Sequence, residues 1–154
     1  MSIGQLIQAE LAPIGISVEI KQLELNVLLS RAGTGGEPFD IVQPVGWFAD
    51  YPDPFDFLNL FFDGRSIKPT GNTNYAYFND PVYNRRLAAA AQLSGPRRYL
   101  AYQAFDADLT RNATPGVPLF NASEQDFLSA RIGCHVYHPV YGVDLATLCL
   151  KHPR

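Results

Sequence analysis

Charged residues are scarce in this chain, and no lysine- or arginine-rich stretch occurs. The 154 residues include 12 Lys and Arg against 15 Asp and Glu, which gives a formal net charge of −3. A nucleic-acid-binding surface needs clustered positive charge to meet the phosphates. We therefore expect no nucleic-acid partner.

Long apolar runs are also missing. No segment approaches the ~20 consecutive apolar residues that span a bilayer. The chain does not begin with a basic leader followed by an apolar stretch, so we predict no signal peptide within it. A mature exported protein, or a fragment of one, would show the same start. With 47% hydrophobic residues, we expect one globular domain over residues 1–154, long enough to bury a core.

Cysteine occurs twice, as Cys134 and Cys149. A bond between them would close a loop of about 15 residues and contribute about 3 kcal/mol by the chain-entropy estimate. Two separate buried thiols are the alternative. A metal site at Cys134, His135 and His138 lacks a second ligand pair at zinc spacing. We therefore expect no metal and no cofactor.

Tryptophan occurs once, in the segment Gly-Trp-Phe-Ala-Asp-Tyr-Pro-Asp-Pro at residues 46–54. A carboxylate among aromatic rings suits a cationic or amphipathic small ligand. A structural interpretation assigns the rings to the core and Asp53-Pro54 to a helix start. Asp56 then lies at the positive end of that helix, and Asp50 is left without a structural duty. Spacing alone leaves both interpretations open.

Apolar spacing and turn residues predict the order of elements along the chain. Helices are expected near residues 3–11, 25–32, 54–62, 81–91 and 96–112, and strands near 16–20, 39–46, 117–120 and 127–132. Residues 63–77 are predicted to form a polar loop with a mobile tip, and residues 144–148 a short helical turn. This order indicates an α/β fold with a small mixed β-sheet flanked by helices.

Catalysis finds little support in these patterns. Paired carboxylates would allow glycoside hydrolysis, but no second acid at a suitable spacing accompanies Asp50. Cys134 and His135 are neighbours in a predicted extended segment and would point to opposite faces. We therefore expect a protein that is not an enzyme. A carboxylate- or metal-dependent hydrolase domain is the alternative.

Five segments, in order, carry a resemblance to a known family. They are residues 6–8 with 11–20, residues 39–41 with 46–54, residues 77–81, residues 98–109, and residues 115–119. Taken together, they resemble the C-terminal part of the family 5 extracellular solute-binding proteins, the dipeptide, oligopeptide and nickel receptors of ABC importers. Each segment is short, but the ordered set is specific.

The resemblance implies a fold, a function and a pair of site residues. It implies most of the C-terminal lobe of a two-lobed, type II periplasmic-binding-protein-like receptor, without the N-terminal lobe and the start of this lobe. Asp50 would pair with the free α-amino group of a peptide, and Trp47 would line the binding cleft. The partners would be the ligand, the N-terminal lobe and an ABC permease in the membrane. An extracellular or periplasmic location would favour a disulfide between Cys134 and Cys149.

Overall fold

Five α-helices make up most of the regular secondary structure in the described part of the chain. This computed structural model describes residues 2–43, 45–121, 123, 125–138, 140 and 142–151. The helices are α1 (Ile3–Leu11), α2 (Leu25–Ala32), α3 (Phe55–Phe62), α4 (Pro81–Ala91) and α5 (Gly95–Asp108). A π-helical segment, Leu109–Ala113, continues α5. Within the described ranges, no helix is long and apolar enough to cross a membrane.

Local capping signals place the helix starts close to where the sequence predicts them. Ser2 and Gln5 form a reciprocal capping box at α1. Asp80 accepts hydrogen bonds from the first N–H groups of α4, and Pro81 occupies the first helical position. At α3 the helix begins at Phe55, one residue later than predicted. Each cap satisfies N–H groups that have no partner inside the helix.

The core lies where α3, α4 and α5 pack together. Its fully buried residues are Leu87, Ala90, Tyr102, Phe105 and Leu109, with Leu58, Phe62, Phe78 and Tyr83 among those packed against them. The Tyr83 ring meets the rings of Phe78 and Phe105 edge-on, at centroid distances of 5.4 and 5.7 Å. This geometry is favourable for aromatic pairs. The cluster makes α3, α4 and α5 one packed unit.

Hydrogen bonds anchor the polar loop at residues 63–77, in which residues 68–71 are exposed; the mobility expected of its tip stays a prediction. The Asn72 amide donates to the carbonyl of Gly33 at 3.0 Å. Asn74 is 0% exposed, and its side chain donates to the Phe78 carbonyl at 2.9 Å and accepts from the Phe78 N–H at 3.0 Å. Asparagine carries both a donor and an acceptor, so it can replace backbone partners in an irregular segment. Part of the polar composition of this loop therefore serves buried hydrogen bonding, at Asn72 and Asn74.

The β-structure is small and antiparallel. The strands are β1 (Ile132–Gly133), β2 (Tyr137–His138), β3 (Gly142–Val143) and β4 (Cys149–Leu150), and β1 pairs with β4 while β2 pairs with β3. Between β3 and β4, Leu145–Thr147 forms the predicted short turn of helix, capped by Asp144. A disulfide joins Cys134 to Cys149 next to the β1–β4 ladder.

Three of the predicted strand segments form no ladder in the described part of the chain. Residues 16–20, 39–46 and 117–120 are neither helical nor paired, and Pro44 lies outside the described residues. The predicted strand at 127–132 reaches a ladder only at Ile132. Alternating apolar residues favour an extended backbone, but a strand also needs a partner backbone within hydrogen-bonding reach. Alternation does not specify that partner.

Candidate ligand-binding site

The aromatic side chains of residues 46–54 are exposed, not in the core. Trp47 is 37% exposed, Phe48 71% and Tyr51 44%. The interpretation that assigns these rings to the core is therefore wrong. Exposed rings of this size lower their contact with water when they cover a ligand or another surface.

Trp47 is supported from one side by α3. Its ring meets Phe61 edge-on, with the centroids 5.6 Å apart and the planes at 83°. Phe61 in turn lies 6.4 Å from the ring of Tyr75 in the loop that follows α3. This packing fixes one edge of Trp47 and leaves more than a third of the residue open to solvent.

The backbone of Asp50 is anchored while its side chain is exposed. The Asp50 N–H donates to Asp56 Oδ2 at 2.7 Å, and Asp56 is 5% exposed in the first turn of α3. Among the described residues, no group donates a hydrogen bond to the Asp50 carboxylate. A carboxylate held in this way keeps its acceptor oxygens available to an incoming donor.

Asp53 forms the strongest polar contact of the segment. Arg98 in α5 donates from Nε to Asp53 Oδ2 at 2.7 Å and from Nη2 to Asp53 Oδ1 at 2.8 Å. The hydrogen bonds from Arg98 hold the pKa of the Asp53 carboxyl below its ordinary value, against a smaller opposing effect of burial. Asp53 Oδ1 also accepts from the Phe55 N–H at 2.8 Å. Asp53 thus serves the helix start that the sequence predicts for it.

The groups around Tyr51 shift the pKa of its phenol and thereby indicate the sign of the local charge. Burial raises the pKa of the Tyr51 phenol, and the carboxylates of Asp56 and Asp53 raise it further, while Arg98 acts in the opposite direction. Negative charge therefore outweighs positive charge around this ring. Such a field favours a cation next to the exposed aromatic faces.

Sequence reasoning missed two of the residues that shape the site. Arg98 lies 45 residues beyond Asp53, and no local spacing connects the two. Asp56 has the helix-start position that the sequence indicates, but its bond to the Asp50 N–H depends on the path of the turn. No signal in the sequence identifies either contact, because the pairing of Arg98 with Asp53 and the bond from the Asp50 N–H to Asp56 are visible only in the folded chain.

A metal ion finds no candidate ligand set in the described part of the chain. The structure groups no three His, Cys, Asp or Glu residues there in a way that would hold one. The considered set at Cys134, His135 and His138 is also unsuitable because Cys134 is consumed in the disulfide with Cys149. A metal-bound cysteine must supply a free thiolate.

Comparison with known proteins relates the chain to peptide-binding proteins, although no family model matches it. It is 35% identical over 103 residues to the probable di/tripeptide-binding protein 5 of Pseudomonas aeruginosa, a match that covers 66% of this chain and 19% of that protein. It is 28% identical over 144 residues to the dipeptide-binding protein DppE of Bacillus subtilis, covering 93% of this chain and 25% of that protein. A shorter match, 30% identical over 78 residues, is to the periplasmic murein peptide-binding protein MppA of Escherichia coli, covering 51% of this chain and 13% of that protein. The chain thus spans a quarter or less of the length of these three relatives, and each is named as a binding protein.

The fold agrees with that of a solved oligopeptide binding protein. A solved structure of the clavulanic acid biosynthesis oligopeptide binding protein 2 superposes with a TM-score of 0.82 at 24% identity, covering 96% of this chain and 28% of that one. Its agreement supports the α/β binding-protein lobe predicted above. The resemblance seen in the motifs is confirmed to this extent: the chain is similar to di/tripeptide- and dipeptide-binding proteins and has the fold of part of an oligopeptide binding protein.

Proposed function

We propose that this chain is most of the C-terminal lobe of a receptor that binds peptides and delivers them to an ABC permease. The observation that carries the proposal is the arrangement of Trp47 and Asp50. The ring of Trp47 and the backbone N–H of Asp50 each contact a residue of α3, and both residues are exposed to solvent. One wall of a binding cleft needs side chains that are already held in place and still open to solvent. Such side chains lose little conformational entropy when a ligand binds.

Asp50 supplies the charge in this proposal. Its carboxylate pairs with the α-amino group of the peptide, while the ring of Trp47 covers the first side chains. The N-terminal lobe closes over the opposite side and excludes water. Excluding water lowers the local dielectric and strengthens the ion pair, so loss of one partner leaves the other charge buried and unpaired.

The carboxylates next to Asp50 are already hydrogen-bonded, which favours binding over catalysis. A hydrolytic site would need a second available carboxylate near Asp50. Asp53 is engaged by Arg98, and Asp56 accepts from the Asp50 N–H. The relatives compared above are named as binding proteins, which supports the same role here.

We propose an extracellular or periplasmic location on two grounds. One relative is named as periplasmic, and the chain contains a disulfide between Cys134 and Cys149. Disulfides persist mainly in oxidising compartments. The receptor would meet its permease at the membrane surface.

The test measures affinity for trialanine by calorimetry, using this lobe joined to its N-terminal lobe. We expect Asp50→Asn to weaken binding at least about tenfold, equivalent to about 1.4 kcal/mol. The matched control is Asp106→Asn, an exposed acid on α5, which should leave the affinity unchanged. N-acetyl-trialanine lacks the charged amino group and should bind the wild-type receptor as weakly as trialanine binds the Asp50→Asn variant. Equal affinity of the wild type and Asp50→Asn for trialanine would refute the assignment.

A further inference from the structure

We propose that Arg98 is the positioning residue of the ligand-binding turn. It locks Asp53 to the α4–α5 helix pair and thereby sets where Trp47 and Asp50 face the cleft. The role assigned to Arg98 rests on the proposed function, because only that function makes this turn a ligand site. Its geometry stands independently of any ligand.

The Asp53–Arg98 contact is a two-point link between distant parts of the chain. Two N–H···O bonds of 2.7 and 2.8 Å, to the two oxygens of one carboxylate, join residues 45 positions apart. The exposed fractions of the two side chains are 16% for Arg98 and 23% for Asp53. A guanidinium that meets a carboxylate through both oxygens restricts its orientation as well as its distance. The link therefore restrains both the position and the angle of the turn.

Arg98 is itself held by the end of α4. Its Nη1 donates to the carbonyl oxygens of Ala90, Ala91 and Leu93, at 3.2, 2.8 and 3.3 Å. These carbonyls lie at and beyond the C-terminal end of α4, where the helix dipole favours a cation. One side chain thus satisfies the end of α4 and the acid of the turn.

The buried ring of Tyr102 makes a cation–π contact with the guanidinium of Arg98. The Arg98 Cζ lies 5.1 Å from the centroid of Tyr102, which is 1% exposed. The Tyr102 hydroxyl donates to Asn59 Oδ1 in α3 at 2.7 Å. The Arg98 side chain therefore has little freedom, because the core fixes the surface on which it stacks.

Helix α3 passes the restraint to the ligand-binding side chains. Asp53 accepts from the Phe55 N–H at 2.8 Å, which places the first turn of α3. From that turn Asp56 accepts the Asp50 N–H at 2.7 Å, and one turn further Phe61 meets the ring of Trp47. Displacing Asp53 should therefore move Asp50 and Trp47 together.

The test uses the fluorescence of Trp47, which is the sole tryptophan of the chain and reports the turn without any ligand. In Arg98→Met, we expect a red-shifted emission and an acrylamide quenching constant raised about twofold, since local restraint is lost while the core remains folded. Far-ultraviolet circular dichroism checks that the helices persist. Arg98→Lys should behave like Arg98→Met because an ammonium cannot reproduce the planar fork.

The matched control is Arg86→Met. Arg86 also bridges α4 and α5, through Asp108, and stacks on the rings of Tyr83 and Phe105 at 5.4 and 5.3 Å. Its loss should lower the melting temperature and leave the Trp47 signal unchanged, which separates positioning from general destabilisation.

Asp53→Asn keeps the size of the side chain and is the second test variant, to be used if Arg98→Met does not fold. We expect this variant to raise the quenching of Trp47 as well. A folded Arg98→Met or Asp53→Asn with unchanged Trp47 quenching overturns the proposal. So does an Arg86→Met that raises the quenching equally. Failure of the proposed function is distinct, since it shows only as unchanged peptide affinity in Asp50→Asn.

Discussion

Replacing Asn74 by alanine should destabilise the protein more than its loop position suggests. Asn74 is 0% exposed and satisfies both the N–H and the carbonyl of Phe78, at 3.0 and 2.9 Å. The Phe78 ring packs on Tyr83 at the edge of the core, 5.4 Å between centroids. Asn74→Ala removes both hydrogen bonds and leaves two backbone groups without their partner.

The magnitude follows from those two groups. Leaving a buried donor or acceptor unpaired costs about 1–3 kcal/mol. Phe78 is half-buried, so water reaches part of this backbone and the lower end applies to each group. We expect the free energy of unfolding to fall by about 2–3 kcal/mol. For a chain of this length, that corresponds to a melting temperature lower by about 5–10 °C.

The assay is thermal and urea unfolding followed by circular dichroism. Asn112→Ala is the control, since Asn112 is exposed and its side chain donates to Asp108 at 2.6 Å; we expect a change within about 0.5 kcal/mol. Asn74→Asp keeps the shape but buries a charge, and should be at least as destabilising as Asn74→Ala. If Asn74→Ala melted within about 2 °C of Asn112→Ala, the reasoning about these buried bonds would be refuted.

Two further predictions concern charge and the disulfide. Because the folded-state pKa of Asp53 is lowered, its pairing with Arg98 stabilises the fold above the ordinary aspartate pKa of about 3.9 and is lost as the pH falls through the folded value. Melting curves from neutral pH into acid should therefore decline less steeply in Arg98→Met than in the wild type, and parallel declines would contradict this. By the loop-entropy estimate, reduction of the Cys134–Cys149 bond lowers the stability of the segment from β1 to β4 by about 3 kcal/mol. We therefore expect proteolysis of this segment to become faster by up to about a hundredfold. Equal cleavage rates with and without reductant would contradict that estimate.

Local chemistry made the helix starts predictable from the sequence. A serine or aspartate before the first turn, or a proline in that turn, acts on N–H groups two or three residues away. The capping box at Ser2 and the cap at Asp80 are therefore found where the residues indicate. The motif around Trp47 and Asp50 was also identified from sequence, through its resemblance to a family. Its role as a ligand site stays a prediction.

The tertiary structure decided what lies far apart along the chain. The alternation at residues 16–20 and the apolar run at residues 117–120 did not specify a partner strand, and the composition of residues 63–77 did not reveal that Asn72 and Asn74 are buried. Nor does any spacing lead from Asp53 to Arg98. These contacts depend on which surfaces meet once α3, α4 and α5 share a core. The sequence by itself determined the helices and their caps, because those depend on neighbours within a turn or two, whereas the exposure of the rings at residues 46–54 was decided by the tertiary structure. Packing alone brought an arginine of α5 to the acid beside that motif, because only a folded core brings residues 45 positions apart within hydrogen-bonding distance.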